Sequence, residues 1–383
     1  MNSNFVNEIA QEKLKSRQIH RKEDVRGAYY RDTTAVLHCS AFRRLKHKTQ
    51  VFFAPSNDHI CTRIEHSLHV SSIAQTICHG LNLDVELAEA IGLSHDLGHT
   101  PFGHLGEKII SDMMEEKGLG KFEHEINSLR IVDFISKLNL TYAVRDGIVC
   151  HCGEKLSQSI KPTNQIKDLG KIKTKSNLIP STWEGCVVRF SDQVAYLGRD
   201  WEDAVRLNII EPNSIPKQIS EVLGSNNAEI INTLVTDIID NSDGIKGISF
   251  SNEVYEALKE MMSFNYKEIY KSEILAGYSR YFERLIHLVY DYLDDLLTTY
   301  GMNRGGYLKE KNMLATAFYN NLAQKREDYI EHDGSLDKLV FDYIAGMSDN
   351  FCLDCVNEIL IPNHINDSIE LSLTGKWFDA PKK

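Results

Sequence analysis

The chain has 383 residues, 42% of them hydrophobic and 25% charged, which suits a globular protein with a sizeable core. Its net charge of −11 excludes the broad Lys/Arg surface that non-specific nucleic-acid binding needs, but not a local basic pocket for a phosphorylated ligand. No signal-peptide pattern opens the sequence, no apolar run reaches membrane-spanning length, and eight scattered cysteines fit the reduced thiols of a cytoplasmic protein.

Long segments of 3.6-residue apolar periodicity dominate, so the predicted fold class is all-α. Residues up to about 31 read as a charged helix followed by a loop. Thr33 or Thr34 then caps a predicted helix with the stripe Val36, Leu37, Ser40/Ala41 and Arg44/Leu45. That stripe ends in Arg43, Arg44, Lys46 and Lys48, either a solvated helix end or an anion-binding cluster. After a loop over 53–59, Ile64, Leu68, Ile73/Ala74 and Ile77 place His66 on a helix beginning near Thr62, with His69 one turn on. Asp84 caps the next helix, which runs apolar into His95-Asp96 and is expected to end at Pro101 and Gly103. The short connection makes these two helices antiparallel neighbours, so His66 can face His95 and Asp96.

A further helix starts near His104 with Glu107 on the same face, Gly118-Leu119-Gly120 turns the chain, and Phe122-Glu123-His124-Glu125 opens another helix. Residues 154–181 are lysine-rich and without periodicity: a long mobile loop, or a phosphate-binding flap. The stretch 182–200 reads as a helix buried on most sides. Its Asp192 lies among Val187, Val188, Val194 and Ala195, and Tyr196 and Asp200 follow on the same face. From about 213 the chain is helix after helix: 226–240, 251–270, 277–300, 309–328 and 336–360. The stripe Tyr278, Tyr281, Phe282, Leu285, Leu288/Val289 and Tyr292 is most simply core, and Cys352 and Cys355 read as buried thiols, not a zinc site. The expected division is a core over 1–210 with a helical region, 211–383, packed on it.

His95-Asp96 joins a neutral N donor to an anionic O donor, half of a divalent-metal site. A buried carboxylate is costly unless paired or metal-bound, which makes Asp192 the candidate to complete it with His66. Mixed N/O ligation suits Mn, Fe, Ni or Zn, and Mg less well. The order His66, His95-Asp96, Asp192 resembles the HD-domain phosphohydrolases. Ser40 to Leu45, Lys48 to Val51, Thr62 to Leu68, Ser94 to His104, Phe122-Glu123-His124, Asp146 to His151 and Tyr343 to Asp349 together resemble the deoxyguanosine-triphosphate triphosphohydrolase (dNTPase) family.

The resemblance implies cleavage of a deoxynucleoside triphosphate between the 5′ oxygen and the α-phosphorus, with a divalent metal on His66, His95, Asp96 and Asp192. It implies His124 as general acid beside Glu125, His104 and Glu107 as the adjoining orienting pair, and His99 as a further active-site histidine. Arg63 corresponds to a phosphate-contacting arginine, Gln50 and Val51 to sugar readers, and Tyr196 and Asp200 to the far side of the sugar pocket. Gln193 stands where some nucleotide-activated relatives carry a phosphate-binding lysine, which leaves an allosteric nucleotide open. A homo-oligomer, tetramer or hexamer, is implied by resemblance alone. The alternatives are another HD phosphohydrolase, acting on nucleoside monophosphates or cyclic nucleotides, and a non-catalytic dNTP sensor.

Overall fold

The computed structural model describes residues 5–22, 24–53, 57–152 and 157–361. Among these the regular structure is helical apart from one two-stranded pairing, as the periodicity predicts. The first compact unit runs through Glu283 and includes Ala345–Asp349. In chain order it carries α1 (Gln11–Leu14), α2 (Ala28–His38), α3 (Ser40–Arg44), α4 (Arg63–Leu81), α5 (Val85–Ser94) and α6 (Gly103–Glu116). There follow α7 (His124–Arg130), α8 (Tyr142–Cys150), α9 (Trp183–Arg206), α10 (Lys217–Leu223), α11 (Asn227–Asn241) and α12 (Asn252–Asn265). Two short strands, β1 (Ser159–Ile160) and β2 (Ile248–Ser249), pair antiparallel. The second unit, Arg284–Ile344 and from Asn350 onward, takes most of α13 (Glu273–Tyr300), then α14 (Arg304–Lys309), α15 (Met313–Asp333), α16 (Asp337–Ala345) and α17 (Asp349–Leu360).

The centre of the first unit is α4 packed on α5 and α9. Thr62 and Glu65 form a reciprocal capping box at the start of α4, and the Asp84 carboxylate caps α5 by accepting from Leu87 N at 3.1 Å. Ile77, Leu87, Ile91 and Val187 are fully buried between these helices, each contributing about 1.5–3 kcal/mol. Gly92 sets how closely α4 and α5 approach, since a Cβ there would stand 2.7 Å from Ser71 Cα. That approach brings His66 and His95 onto facing surfaces.

Several expectations need correction. Thr33 and Thr34 lie inside α2, which begins at Ala28 after Gly27, because the chain upstream is already helix-competent. Helix α5 stops at Ser94, so His95 to Thr100 form turns before the Pro-Gly break. The predicted helix over 336–360 is two, parted at Gly346-Met347-Ser348. Tyr278 and Tyr281 are exposed while Phe282 is buried, so the aromatic stripe is only partly core. Residues 211–283 belong with the first unit, since α10 packs on α12, α11 packs on α9, and Asn265 Nδ2 donates to Leu197 O at 2.9 Å. Of the lysine-rich loop, 154–156 lie outside the described residues. The remainder is pinned: the buried Asp146 carboxylate accepts from Lys167 Nζ at 2.7 Å and Ser181 N at 2.6 Å, and β1 joins the sheet. All eight cysteines are unbridged, with Cys352 and Cys355 buried.

The segment Ala345–Asp349 reaches two loops that shape the site. The Asp349 carboxylate accepts from Thr49 N and Phe102 N, both at 2.9 Å, and from Thr49 Oγ1. Lys48, buried, donates through Nζ to the carbonyls of His99 and Ala345. Asp349→Ala leaves three buried donors unpaired and is expected to cost about 2 kcal/mol or more, read as a fall in denaturation midpoint. An unchanged midpoint would mean water satisfies those groups as well as Asp349 does.

Candidate active site

A cavity of about 870 Å³ opens in the first unit. His66, Asp96 and Asp192 of the predicted ligand set line it, and the fourth, His95, is buried next to them. His66 Nε2 lies 2.9 Å from Asp192 Oδ1 and 3.9 Å from Asp96 Oδ2; His95 Nε2 lies 3.4 Å from Asp96 Oδ1 and 3.9 Å from Asp192 Oδ1. Two donors on one metal, each about 2.1 Å from it, can stand at most about 4.2 Å apart, and each of these four His–Asp separations falls within that limit. His95 gives its Nδ1 proton to Gly92 O at 2.7 Å, and its buried Nε2 has no protein partner. That tautomer, a ring fixed by a backbone carbonyl with a bare nitrogen facing carboxylates, is how proteins present imidazole to a metal. The residues fit a divalent ion.

His151 repeats the pattern. Its Nδ1 bonds Ile148 O at 2.6 Å, its Nε2 is unpartnered, and that nitrogen stands 3.8 Å from Asp96 Oδ1. In the sequence His151 follows the apolar run of α8 and has the pattern of a core residue, so it carries no signal of this position.

Asp96 is the hub. It is buried, and burial alone would raise its pKa, but His99, His95 and Arg63 hold it well below the usual carboxylate range. Arg63 Nη1 donates to Asp96 Oδ2 at 2.6 Å, while Nε and Nη2 hold the carbonyls of Thr49 and Gln50 at 3.2 and 3.3 Å. Gln50 and Val51 thereby line the cavity, with Gln50 Oε1 unpartnered. Tyr196 and Asp200 line another part of its wall, and burial raises the Asp200 carboxyl to about 7 despite the hydroxyl donated by Tyr270.

A second group surrounds His124. Gly98 makes it possible: a Cβ there would come 2.2 Å from both His124 O and Ser128 N, so only glycine lets the His95–His99 turn rest on α7. His99 stacks on His124 with ring centroids 3.8 Å apart and reaches Asp96 Oδ1 at 3.1 Å through Nε2. Burial, with Arg63 nearby, holds the His99 pKa well below normal. His124 behaves oppositely. Burial would lower its pKa, but Glu107 and Glu125 outweigh that and raise it to about 9. Its Nδ1 donates to Glu107 at 3.0 Å, and Glu107 also accepts from the His124 backbone N–H at 3.0 Å. His104 lines the cavity with a largely exposed ring, 3.4 Å from Glu107. The turn before it is held at a left-handed Phe102, φ 63°, fixed by the bond to Asp349.

Not every expected residue arrives. Arg43 is exposed, Arg44 is half-buried beside Cys39, and neither lines the cavity. Lys48 is used internally, and His69 is outside the lining. The helix carrying Arg43 and Arg44 faces other elements than the cavity, which a basic cluster read along the chain does not reveal. Conversely, Cys152, Tyr270 and Arg280 line it without any sequence signal beyond their type.

The HD-domain model matches residues 63–195, and the phosphohydrolase-associated domain model matches 248–358. Fold and site together define an HD-domain phosphohydrolase, and no described helix is long and apolar enough to cross a membrane. The chain is 34% identical over 348 residues to the deoxyguanosinetriphosphate triphosphohydrolase-like protein of Caldanaerobacter subterraneus subsp. tengcongensis, spanning 89% of this chain and 87% of that one. It is 33% identical over 371 residues to the like-named protein of Desulfatibacillum aliphaticivorans, spanning 94% and 95%, and 30% identical over 406 residues to that of Rickettsia felis, spanning 93% and 98%. It belongs to the deoxyguanosinetriphosphate triphosphohydrolase-like family.

The His124–Glu107 pair has a pH signature. The folded pKa of about 9 exceeds the ordinary 6.5, so the pair's stabilisation is complete below about 6.5 and is lost as pH rises through 9. Glu107→Gln keeps an acceptor but removes the charge, so burial should bring the His124 midpoint, followed by imidazole NMR, down by at least a unit. A midpoint that stays near 9 would show that Glu107 is not what holds the proton.

Proposed function

We propose that this protein is a metal-dependent dNTP triphosphohydrolase, converting deoxynucleoside triphosphates, dGTP among them, to deoxynucleoside and triphosphate. The observation that supports it most is the placing, in one cavity, of the His66, Asp96 and Asp192 donors next to His124, whose Nδ1 is held by Glu107 at 3.0 Å. The printed name of the relatives supplies the substrate class. His66, His95, Asp96 and Asp192 would hold the ion, Mg or Mn in the first instance, with Fe, Ni or Zn also suited to this ligand set. When bound, it supplies a Lewis acid for the α-phosphoryl group and a water of lowered pKa.

The chain's own residues account for the rest. The 5′ alkoxide is a poor leaving group at neutral pH, and breaking its bond to phosphorus requires a proton on the departing oxygen. His124 carries that proton on Nε2, because Glu107 occupies Nδ1. Glu107 and His104 orient it from one side, and the stacked His99 from the other. Arg63, its nitrogens engaged by Asp96 and by the carbonyls of Thr49 and Gln50, contributes positive charge to the cavity wall that would face the triphosphate. Gln50 Oε1, lacking a protein partner, suits the 3′ hydroxyl, and Val51 with the Tyr196 ring crowds the position of a 2′ hydroxyl. Asp200, with a pKa near 7, shares the 3′ side. Reduced thiols support a cytoplasmic setting, and a homo-oligomer with an activating nucleotide is carried over by resemblance.

The deciding experiment is a panel of dGTP, dATP, dCTP and dTTP with Mg²⁺ or Mn²⁺ and identification of products. Deoxynucleoside with intact triphosphate is expected. Pyrophosphate or orthophosphate as the phosphorus product, or turnover of monophosphates or cyclic nucleotides alone, would sink the reading. His124→Ala is expected to lower kcat by about 10²–10⁴-fold while dGTP still binds. Wild-type kcat should decline as pH rises through about 9, where His124 loses its proton. Rates that survive the substitution would remove His124 from the role of acid.

A further inference from the structure

Beside the His66/His95/Asp96/Asp192 set stands a second cluster with different chemistry. His124, Glu125, His151 and Cys152 each offer one donor atom, and the four atoms lie within 4.8 Å of one another. Three of the residues are buried and Cys152 is half-buried. Their separations are those of ligands. A tetrahedral ion with bonds of about 2.3 Å to sulfur and 2.0–2.1 Å to nitrogen or oxygen puts S and N about 3.6 Å apart, and N and O about 3.4 Å. Here Cys152 Sγ is 3.7 Å from His124 Nε2, and Glu125 Oε1 is 3.5 Å from the same nitrogen.

The imidazoles are oriented for it as well. Both have Nδ1 engaged, His124 with Glu107 at 3.0 Å and His151 with Ile148 O at 2.6 Å, so both direct Nε2 inward. His151 Nε2 is buried without a partner, and so is Glu125 Oε2. Lys175 Nζ sits 3.0 Å from Glu125 Oε1 and uses one acceptor position of that oxygen, so the carboxylate keeps lone pairs for an ion. A thiol, two imidazoles and a carboxylate select a soft or borderline cation, Zn²⁺ above Mg²⁺ or Ca²⁺.

We propose that His124, Glu125, His151 and Cys152 form a second metal site, selective for Zn²⁺-type ions, whose occupation arrests the enzyme. Binding takes the Cys152 thiolate and the Nε2 lone pair of His124, releasing the thiol proton and the Nε2 proton of the imidazolium to solvent. A metallated Nε2 holds no proton to give. The binding itself is independent of any assigned reaction; the arrest rests on His124 being the general acid.

The test uses Co²⁺ as a spectroscopic stand-in for Zn²⁺ on the full chain. Wild type is expected to show a thiolate-to-Co²⁺ charge-transfer band that Cys152→Ser loses while keeping the weaker visible bands of Co²⁺ on the other ligand set. Glu125→Gln keeps the thiol and is expected to require about tenfold more Co²⁺ for the same band. In Mn²⁺-supported dGTP hydrolysis, Zn²⁺ should inhibit wild type at concentrations about tenfold below those needed for Cys152→Ser. No thiolate band in wild type, or a band that survives Cys152→Ser, overturns the site. A Cys152-dependent band with equal Zn²⁺ sensitivity in wild type and Cys152→Ser overturns the arrest. If no dNTP is turned over, the Co²⁺ spectra still decide the site, and that failure belongs to the proposed reaction alone.

Discussion

The buried Asp96–Arg63 pair is the constraint on which the site depends. A carboxylate stripped of water is costly, and Asp96 is tolerable because Arg63 and His99 meet it directly. Arg63 has a second duty, since its remaining nitrogens hold the carbonyls of residues 49 and 50. The same guanidinium therefore sets the Asp96 carboxylate and the loop that presents Gln50 and Val51. A shift of Asp96 is transmitted to that loop through one rigid planar group, which lysine could not reproduce.

From the other direction, Lys48 and Asp349 lock the same loop and the His99–Phe102 turn. Their distance in sequence is the reason they were not anticipated. Thr49 and Asp349 are three hundred residues apart, and nothing in local periodicity pairs them. By contrast, His66 with His95 and Asp96 was legible because a short connection forces antiparallel neighbours, and Asp192 because an ionisable group in an apolar helix demands a partner. The helices were legible for the same reason: their stripes are local. His151 and Cys152 were not, since a buried histidine after an apolar run looks the same whether it serves packing or a ligand. Only the bare Nε2 distinguishes the two, and that is a property of the folded molecule.

His99 and His124 show how far environment separates chemically identical groups. They stack at 3.8 Å, both buried, yet one is held neutral and the other cationic. The difference lies in the neighbours: Arg63 bears on His99, while Glu107 and Glu125 flank His124. Two cations stacked in a buried site would repel strongly, so the neutrality of His99 is what permits the charge on His124. Arg63 thus acts twice in this region, steadying the Asp96 carboxylate and disfavouring a proton on His99.

The proposed roles of His124 as acid and as metal ligand draw on the same features. An imidazole whose Nδ1 is fixed by a carboxylate, with Nε2 aimed into a cavity, has the geometry of a metal ligand. What opposes the metal is the proton that Glu107 and Glu125 stabilise there. A cation that binds Glu125 removes part of that stabilisation and competes for the same nitrogen. Proton donation and metal capture are therefore opposing uses of one lone pair, and the Glu125 carboxylate, which also meets Lys175, bears on both.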